Sequence, residues 1–231
     1  MLKLYDLAGA EPDRRFSPYC WRIKMALAHK GLAVETIPWR FTEKSIITPA
    51  GCKGRVPVLV DGERWIDESW TIAEYLDEAY PGAPSLFGDG VGRALTRFYQ
   101  GWADVVLHGA LFPILALDIW RHTAAEDREY FRKSREERLG RTLEAASSDR
   151  EARLPALRET LLPLRLALRS QKFLGGERPL YADYIVFGAF QWARGISDLR
   201  LLLEDDPVAA WRGRMLDLHG GLAAKSKGYP V

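Results

Sequence analysis

The spacing of apolar residues changes once along this chain, across Pro81 to Gly92, a stretch that holds two prolines and four glycines. Before it, short period-two runs alternate with period-3.6 runs; after it, only the helical period remains. Leu2 to Leu7 alternates as a half-buried strand does. Cys20 to Lys30, with Trp21, Met25, Ala26 and Ala28 at its apolar positions, suits a helix ending at Gly31. Val34 to Trp39 resumes the strand pattern, Val56 to Val60 is a second short apolar run, and Asp61-Gly62 is a hairpin turn into Arg64 to Ile66. Ser69 to Tyr80 reads as an amphipathic helix stopped by Pro81. This order calls for an α/β unit over residues 1–82 and an all-α helical bundle over 92–231, joined by the Pro/Gly-rich connection. In the second unit the pattern predicts helices over about Gly92 to His122, Glu126 to Ala146, Leu154 to Gln171, Tyr181 to Ile196 and Pro207 to His219.

Composition closes off several classes of function. The 231 residues are 47% apolar and 28% charged, with a net charge of +2, so a substantial core can form and the basic excess of a nucleic-acid surface is missing. Two cysteines, Cys20 and Cys52, make no disulfide framework and suit a reducing, cytoplasmic setting. Met1 to Arg15 lacks the apolar run of a signal peptide. Asp104 to Trp120, interrupted by His108, Pro113 and Asp118, is a poor membrane span, so neither membrane nor nucleic acid is an expected partner, and no metal site is expected. The charge-dense stretch 126–153 alternates its signs in the manner of a solvated helix face.

Phe16 to Trp21 reads FSPYCW, one oxygen-for-sulfur replacement away from the C-P-Y-C motif of glutaredoxins. A dithiol site needs a low-pKa cysteine at a helix start and a resolving cysteine three residues on. With Ser17 in first place, no disulfide closes within Ser17-Pro-Tyr-Cys20. What remains is a loop entering a helix N-terminus, where free N–H groups and the macrodipole favour a negative charge. A hydroxyl there can donate to an anion supplied from outside. If that anion is a thiolate, a charged hydrogen bond worth about 1.5–3 kcal/mol lowers a thiol pKa near 8.5 by about one to two. Serine at this position also serves as an N-cap, and Cys20, one turn into the helix, also serves as core packing.

Three segments in order, Ser17 to Leu27 (SPYCWRIKMAL), Arg55 to Leu59 (RVPVL) and Asp67 to Leu76 (DESWTIAEYL), resemble the glutathione S-transferases. The resemblance continues through Ser134 to Leu143, Phe173 to Glu177, Ala182 to Tyr184 and Glu204 to Pro207, where it is nearest the serine-type bacterial β-aryl-etherases and fungal transferases. It implies a thioredoxin-like N-terminal domain followed by a helical domain, with glutathione as co-substrate. By position, Ser17 falls on the catalytic serine that stabilises the glutathione thiolate, and Pro57 on a cis-proline that turns the Val56 backbone to pair with the cysteinyl part of the tripeptide. Glu68 and Ser69 fall on the pair that holds the γ-glutamyl end, and Arg55 is placed to reach the glycyl carboxylate. One departure is Leu180, where the family usually carries a Ser or Thr that caps the helix together with Asp183; a leucine accepts no N–H bond, so the start of that helix rests on Asp183 alone.

Glutathione would bring the nucleophile, leaving the protein to ionise it and to hold a small hydrophobic, aromatic electrophile beside it. Trp39, Phe41, Tyr99, Trp102, His108, Phe112 and Trp120 are placed to line such a pocket, although aromatics at helical spacing are also ordinary core. The β-aryl-etherase likeness implies thiolate attack on the ether carbon next to the benzylic one and loss of a phenolate; His108 is a candidate to protonate it, although a lone histidine in an apolar helix is more often packing, and it is not counted among the site residues. It also implies a homodimer formed through the last helix of the first domain and the first helix of the second. Two other readings share the fold: a thiol oxidoreductase or deglutathionylase working through Cys20 or Cys52, and a non-catalytic glutathione-binding module.

Overall fold

In the computed structural model, which describes residues 1–230, strands β1 (Leu2–Leu7), β2 (Val34–Trp39), β3 (Val58–Asp61) and β4 (Arg64–Asp67) form one mixed sheet in the order β2-β1-β3-β4. β1 and β2 run parallel, pairing Leu2 with Val34 through Leu7 with Trp39, and the crossover between them is helix α1 (Pro18–His29). β3 is antiparallel to both β1 and β4, and its Val58, Leu59 and Val60 are buried between those neighbours. Edge strand β2 carries Pro38, where a missing N–H is tolerated. Asp61 pairs with Arg64, which leaves Gly62 and Glu63 as a two-residue turn; Gly62 takes the positive φ of 59° that such a turn requires. Helix α2 (Ser69–Ala79) buries Ile72, Ala73 and Leu76 and stops ahead of Pro81, as its pattern predicts.

The helical unit begins with α3 (Gly90–Trp102), capped by Asp89, whose Oδ1 accepts the Gly92 N–H at 2.7 Å. It continues through a π turn (Ala103–Leu107) into α4 (His108–His122). This 33-residue run is long and apolar enough by length and composition to cross a membrane, and 56% of its most apolar window is buried inside the protein. The two long helices expected over 126–146 and 154–171 are each divided. α5 (Ala125–Leu139) stops where Gly140 adopts a φ of 66°, and α6 (Leu143–Ser147) restarts from a Thr142 cap. α7 (Leu154–Thr160) and α8 (Leu162–Leu168) part at Leu161, because Pro163 has no N–H to continue the ladder and its ring crowds the preceding turn.

Helix α9 (Tyr181–Ile196) is apolar nearly all round and runs buried through the centre. The leucine at its start leaves no defect. The Asp183 carboxylate, fully buried, accepts the N–H groups of Leu180 (3.0 Å), Gly175 (3.0 Å) and Leu174 (2.8 Å) and the indole N–H of Trp211 (2.9 Å). Trp211 belongs to α10 (Pro207–Gly221), whose path leaves helical geometry at Leu218 to Gly220. α1 packs along α9, and two glycines make that approach possible. A Cβ on Gly188 would lie 2.4 Å from the Pro18 carbonyl oxygen, and one on Gly195 would meet Phe16 Cβ at 3.0 Å. The loop carrying Ser17 is therefore seated on the helical domain by backbone contact.

Candidate active site

Ser17 is the N-cap of α1, with extended dihedrals and its Oγ accepting the Cys20 N–H at 3.2 Å. It is 4% exposed and lines a cleft of about 600 Å³ between the sheet and the helical domain. Accepting through one lone pair leaves the hydroxyl proton free to donate, so capping and donating are compatible in one side chain. Arg55 and Val56 line the same cleft, and the Val56–Pro57 bond is cis. The β3 ladder begins only at Val58, so the Val56 backbone stands outside the sheet's hydrogen bonding.

A second cleft of about 250 Å³ adjoins the first, sharing Tyr19, Arg55, Val56 and Asp104 with it, and holds Glu68 and Ser69. Glu68 has a φ of 66° and a ψ of 120°, a conformation that costs a non-glycine residue about 1–3 kcal/mol. Contacts on both sides hold it there. The Asp67 carboxylate accepts the Lys53 N–H (2.8 Å), Lys53 Nζ pairs with Glu68 (3.3 Å), and the Ser69 carbonyl accepts the Tyr181 hydroxyl from α9 (2.7 Å). No side chain caps the start of α2, so its first N–H groups are open to a carboxylate from outside. The two clefts bring all five residues singled out in the sequence, Ser17, Arg55, Val56, Glu68 and Ser69, into one connected space.

The wall opposite Ser17 comes from the long helix and from α5. Gln100, Asp104, His108 and Phe112 all border the two clefts at a strict spacing of four. A spacing of four overshoots a 3.6-residue turn, and the wider π turn at Ala103 to Leu107 takes up the excess and keeps them on one face. Tyr99, Trp102 and Trp120 lie off that face and do not line the cleft; Trp120 instead packs beneath Arg128 and Arg132. Trp39, Phe41, His108 and Phe112 do line it. The expectation that 126–153 is merely solvated is overturned on one face of α5, where Phe131, Arg135 and Arg138 form cleft wall. Asp127, fully buried on the same face, accepts the Phe41 and Thr42 N–H groups (2.9 Å each) and the Thr42 hydroxyl (2.6 Å), which ties α5 to the loop after β2. Alternating charge concealed that face, because its cleft residues recur only once per turn and two of them are themselves arginines within the charged run.

Residues 12–84 match the family model for the glutathione S-transferase N-terminal domain, and residues 94–216 match the one for its C-terminal domain. The chain belongs to the glutathione S-transferase family. A glutathione transferase of Zea mays, GST 23, is 29% identical over 210 residues, spanning 87% of this chain and 82% of that one. Among solved structures, glutathione transferase GSTFuA3 from Phanerochaete chrysosporium superposes with a TM-score of 0.77 at 27% identity, covering 97% of this chain and 93% of that one. The transferase CsGST63524 of Ceriporiopsis subvermispora, solved in complex with glutathione, superposes at 0.78 over 94% of this chain and 96% of that one; at 23% identity this likeness bears on the fold.

Within this glutathione S-transferase the two thiols and the imidazole that lines the cleft are unsuited to nucleophilic or acid roles. Cys20 is fully buried, and burial, with Asp6 beside it, pushes its thiol well above the ordinary range; burial also raises Cys52. Neither supplies a thiolate near neutrality. His108 is held down to about 3 by burial and by the positive charges of Arg22 and Arg138, so it is neutral at pH 7 and offers no imidazolium to a leaving phenolate. Of the two readings of His108, packing and general acid, burial favours the first. Arg22, fully buried, pairs with Asp104 (2.5 Å) and lies under the Tyr19 ring (4.6 Å). Lys53 and Asp104 border the site from outside every motif, and Tyr19, Arg135 and Arg138 lie within motif segments that gave them no role, because only the folded chain brings α1, α5 and the π turn together.

Proposed function

We propose that this glutathione transferase is of the serine type. Ser17 donates its hydroxyl proton to the sulfur of bound glutathione and holds it as the thiolate at neutral pH. Glutathione is the co-substrate. Residues 1–82 form the domain that holds it, and residues 92–231 carry much of the acceptor pocket. The γ-glutamyl carboxylate docks on the open N-terminus of α2 with the Ser69 hydroxyl, Glu68 receives the ammonium group, the Val56 backbone pairs with the cysteinyl unit as an added strand would, and Arg55 receives the glycyl carboxylate. The observation that carries this reading is the place of Ser17: its Oγ accepts the Cys20 N–H through one lone pair, so its O–H stays free to donate into the cleft that it lines.

The electrophile is hydrophobic and aromatic, and β-aryl ethers of the kind lignin yields are the class we propose. The thiolate attacks the ether-bearing carbon, a carbon–sulfur bond forms, the carbon–oxygen bond breaks, and the phenolate leaves with the electron pair. A neighbouring carbonyl speeds this displacement. Glutathione-dependent release of phenol from α-keto β-aryl ethers, compared with turnover of generic electrophiles, tests the proposal. Turnover of generic electrophiles with no phenol release removes the etherase reading and keeps the transferase.

The enzyme works as a cytoplasmic homodimer. Val91, Leu95, Phe98, Val105 and Val106 form an exposed apolar stripe along α3 and the π turn, the kind of face a second copy covers. Replacing Phe98 and Val105 by Asp is expected to convert the dimer to a monomer in sedimentation; an unchanged mass refutes this interface.

A further inference from the structure

Resting on the transferase reading above, we propose that the electrophile carries a carboxylate on its aromatic body, and that Arg135 and Arg138 receive it. Among the described residues, five cationic side chains border the larger cleft, Lys44, Lys53, Arg55, Arg135 and Arg138, of which Lys53 is paired with Glu68 of the adjoining cleft, and the one carboxylate in its lining, Asp104, is committed to Arg22. Glutathione has two carboxylates and one ammonium group to place. In the reading above they lie on the α2, Arg55 and Ser17 side, and the cations of α5 are left over on the opposite wall.

Those two arginines are presented rather than neutralised. Arg135, half-buried, has its guanidinium 4.9 Å from the Phe131 ring centre and 5.5 Å from that of Phe41; its side chain bonds to the Ser134 hydroxyl (2.9 Å) and, among the described residues, meets no carboxylate. Arg138 lies 4.8 Å over Phe112 and has no acidic partner among the described residues either. Arg132 on the other face of the same helix is paired with Glu136 (2.8 Å) and Glu144 (2.7 Å), whereas the one acid on the cleft face of α5, Asp127, is committed to Phe41 and Thr42 and pairs with neither arginine. Desolvation already lowers the pKa of Arg135, a cost that an incoming anion relieves. Aromatic faces beneath planar guanidinium groups suit a flat ring whose carboxylate the guanidinium fork can grip, a match that neutral aryl ethers lack.

A matched set of electrophiles separates this inference from the reading beneath it: 4-chloro-3,5-dinitrobenzoate, its neutral carboxamide, and 1-chloro-2,4-dinitrobenzene. With each, the glutathione thiolate forms a carbon–sulfur bond at the chlorinated carbon, the carbon–chlorine bond breaks and chloride leaves; nothing is oxidised or reduced. Each kcat/KM is divided by the rate of the uncatalysed reaction with glutathione. The benzoate is expected to exceed the carboxamide by about tenfold or more. That ratio falls towards one in Arg135→Gln with Arg138→Gln, is largely kept in Arg138→Lys, and shrinks with added salt. Equal efficiency of benzoate and carboxamide in the native enzyme overturns the inference while leaving the transferase reading standing. So does a rise in the glutathione KM with an unchanged ratio in the arginine variants, which would assign these residues to the tripeptide. If none of the three electrophiles is turned over, the transferase reading is what fails. The inference is then judged by calorimetry of the two presynthesised glutathione conjugates, where equal affinity overturns it and about tenfold tighter binding of the acid upholds it.

Discussion

Replacing Ser17 perturbs two quantities that the structure allows to be separated. Its Oγ caps α1 through the Cys20 N–H, and the proposed O–H bond to sulfur is a second, independent contact. An N-cap serine changed to alanine costs about 0.5–2 kcal/mol, whereas a change to glycine costs only a few tenths. In a chain of this size each kcal/mol corresponds to about 2–4 °C in Tm. Ser17→Ala is therefore expected to melt a few degrees early and Ser17→Gly close to the native protein. The thiol contact is lost in both. A hydrogen bond to a charged group worth about 1.5–3 kcal/mol corresponds to about one to two pH units, so the midpoint of the pH–rate profile moves up by that amount. Near neutrality the rate falls by about tenfold or more and recovers as the pH is raised past the thiol's own pKa. Ser17→Thr, which keeps cap and hydroxyl, holds the midpoint nearer the native one. Thiolate absorbance of the glutathione complex across pH, beside thermal melting, reads both effects. A midpoint in Ser17→Gly equal to that of the native enzyme refutes the donor role and leaves Ser17 a cap alone.

Gly188→Ala drives a Cβ into the Pro18 carbonyl oxygen at 2.4 Å, and is expected to cost about 1–3 kcal/mol and to lower activity by moving the Ser17 loop; melting and turnover at native levels would show that α1 and α9 can part without consequence. Asp127→Ala strips the acceptor from the Phe41 and Thr42 N–H groups, with an expected loss of about 1.5–3 kcal/mol and a larger rise in electrophile KM than in glutathione KM; a fall in Tm with both KM values unmoved refutes its place in the cleft wall. His108 titrates near 6.5 in the unfolded chain and at about 3 when folded, so the folded state resists its proton: the associated stability is present above about pH 6.5 and is lost as the pH falls towards 3. Burial lowers His29, His122 and His219 as well, in the same sense. Melting temperature is expected to fall between about pH 7.5 and about pH 5.5 in the native protein, and to fall less in His108→Gln; an unchanged slope contradicts the burial account.

The element order of the first domain was legible because each strand and helix has a local signature: alternation in Leu2 to Leu7, the Asp61-Gly62 turn, and Pro81 after α2. Less legible were the breaks at Gly140 and Leu161. Both fall inside runs whose apolar spacing stays helical, and only a residue's backbone freedom or a missing N–H interrupts them. The helix start at Leu180 reads as deficient locally and is complete in the structure, because Trp211 and the Leu174 to Gly175 backbone meet Asp183 from outside its own helix.

By itself the sequence determined that Ser17 stands where a redox cysteine would, at the start of a helix, and that no disulfide can close there. It determined too that an α/β unit precedes a helical one, since hydrophobic period and turn chemistry are properties of neighbouring residues. Only the tertiary structure decided what faces Ser17. The cations of α5, the neutral His108 and the π turn that aligns Gln100 with Phe112 reach the cleft through contacts between segments far apart in the chain, and desolvation, which sets their charge states, exists only once those segments are packed.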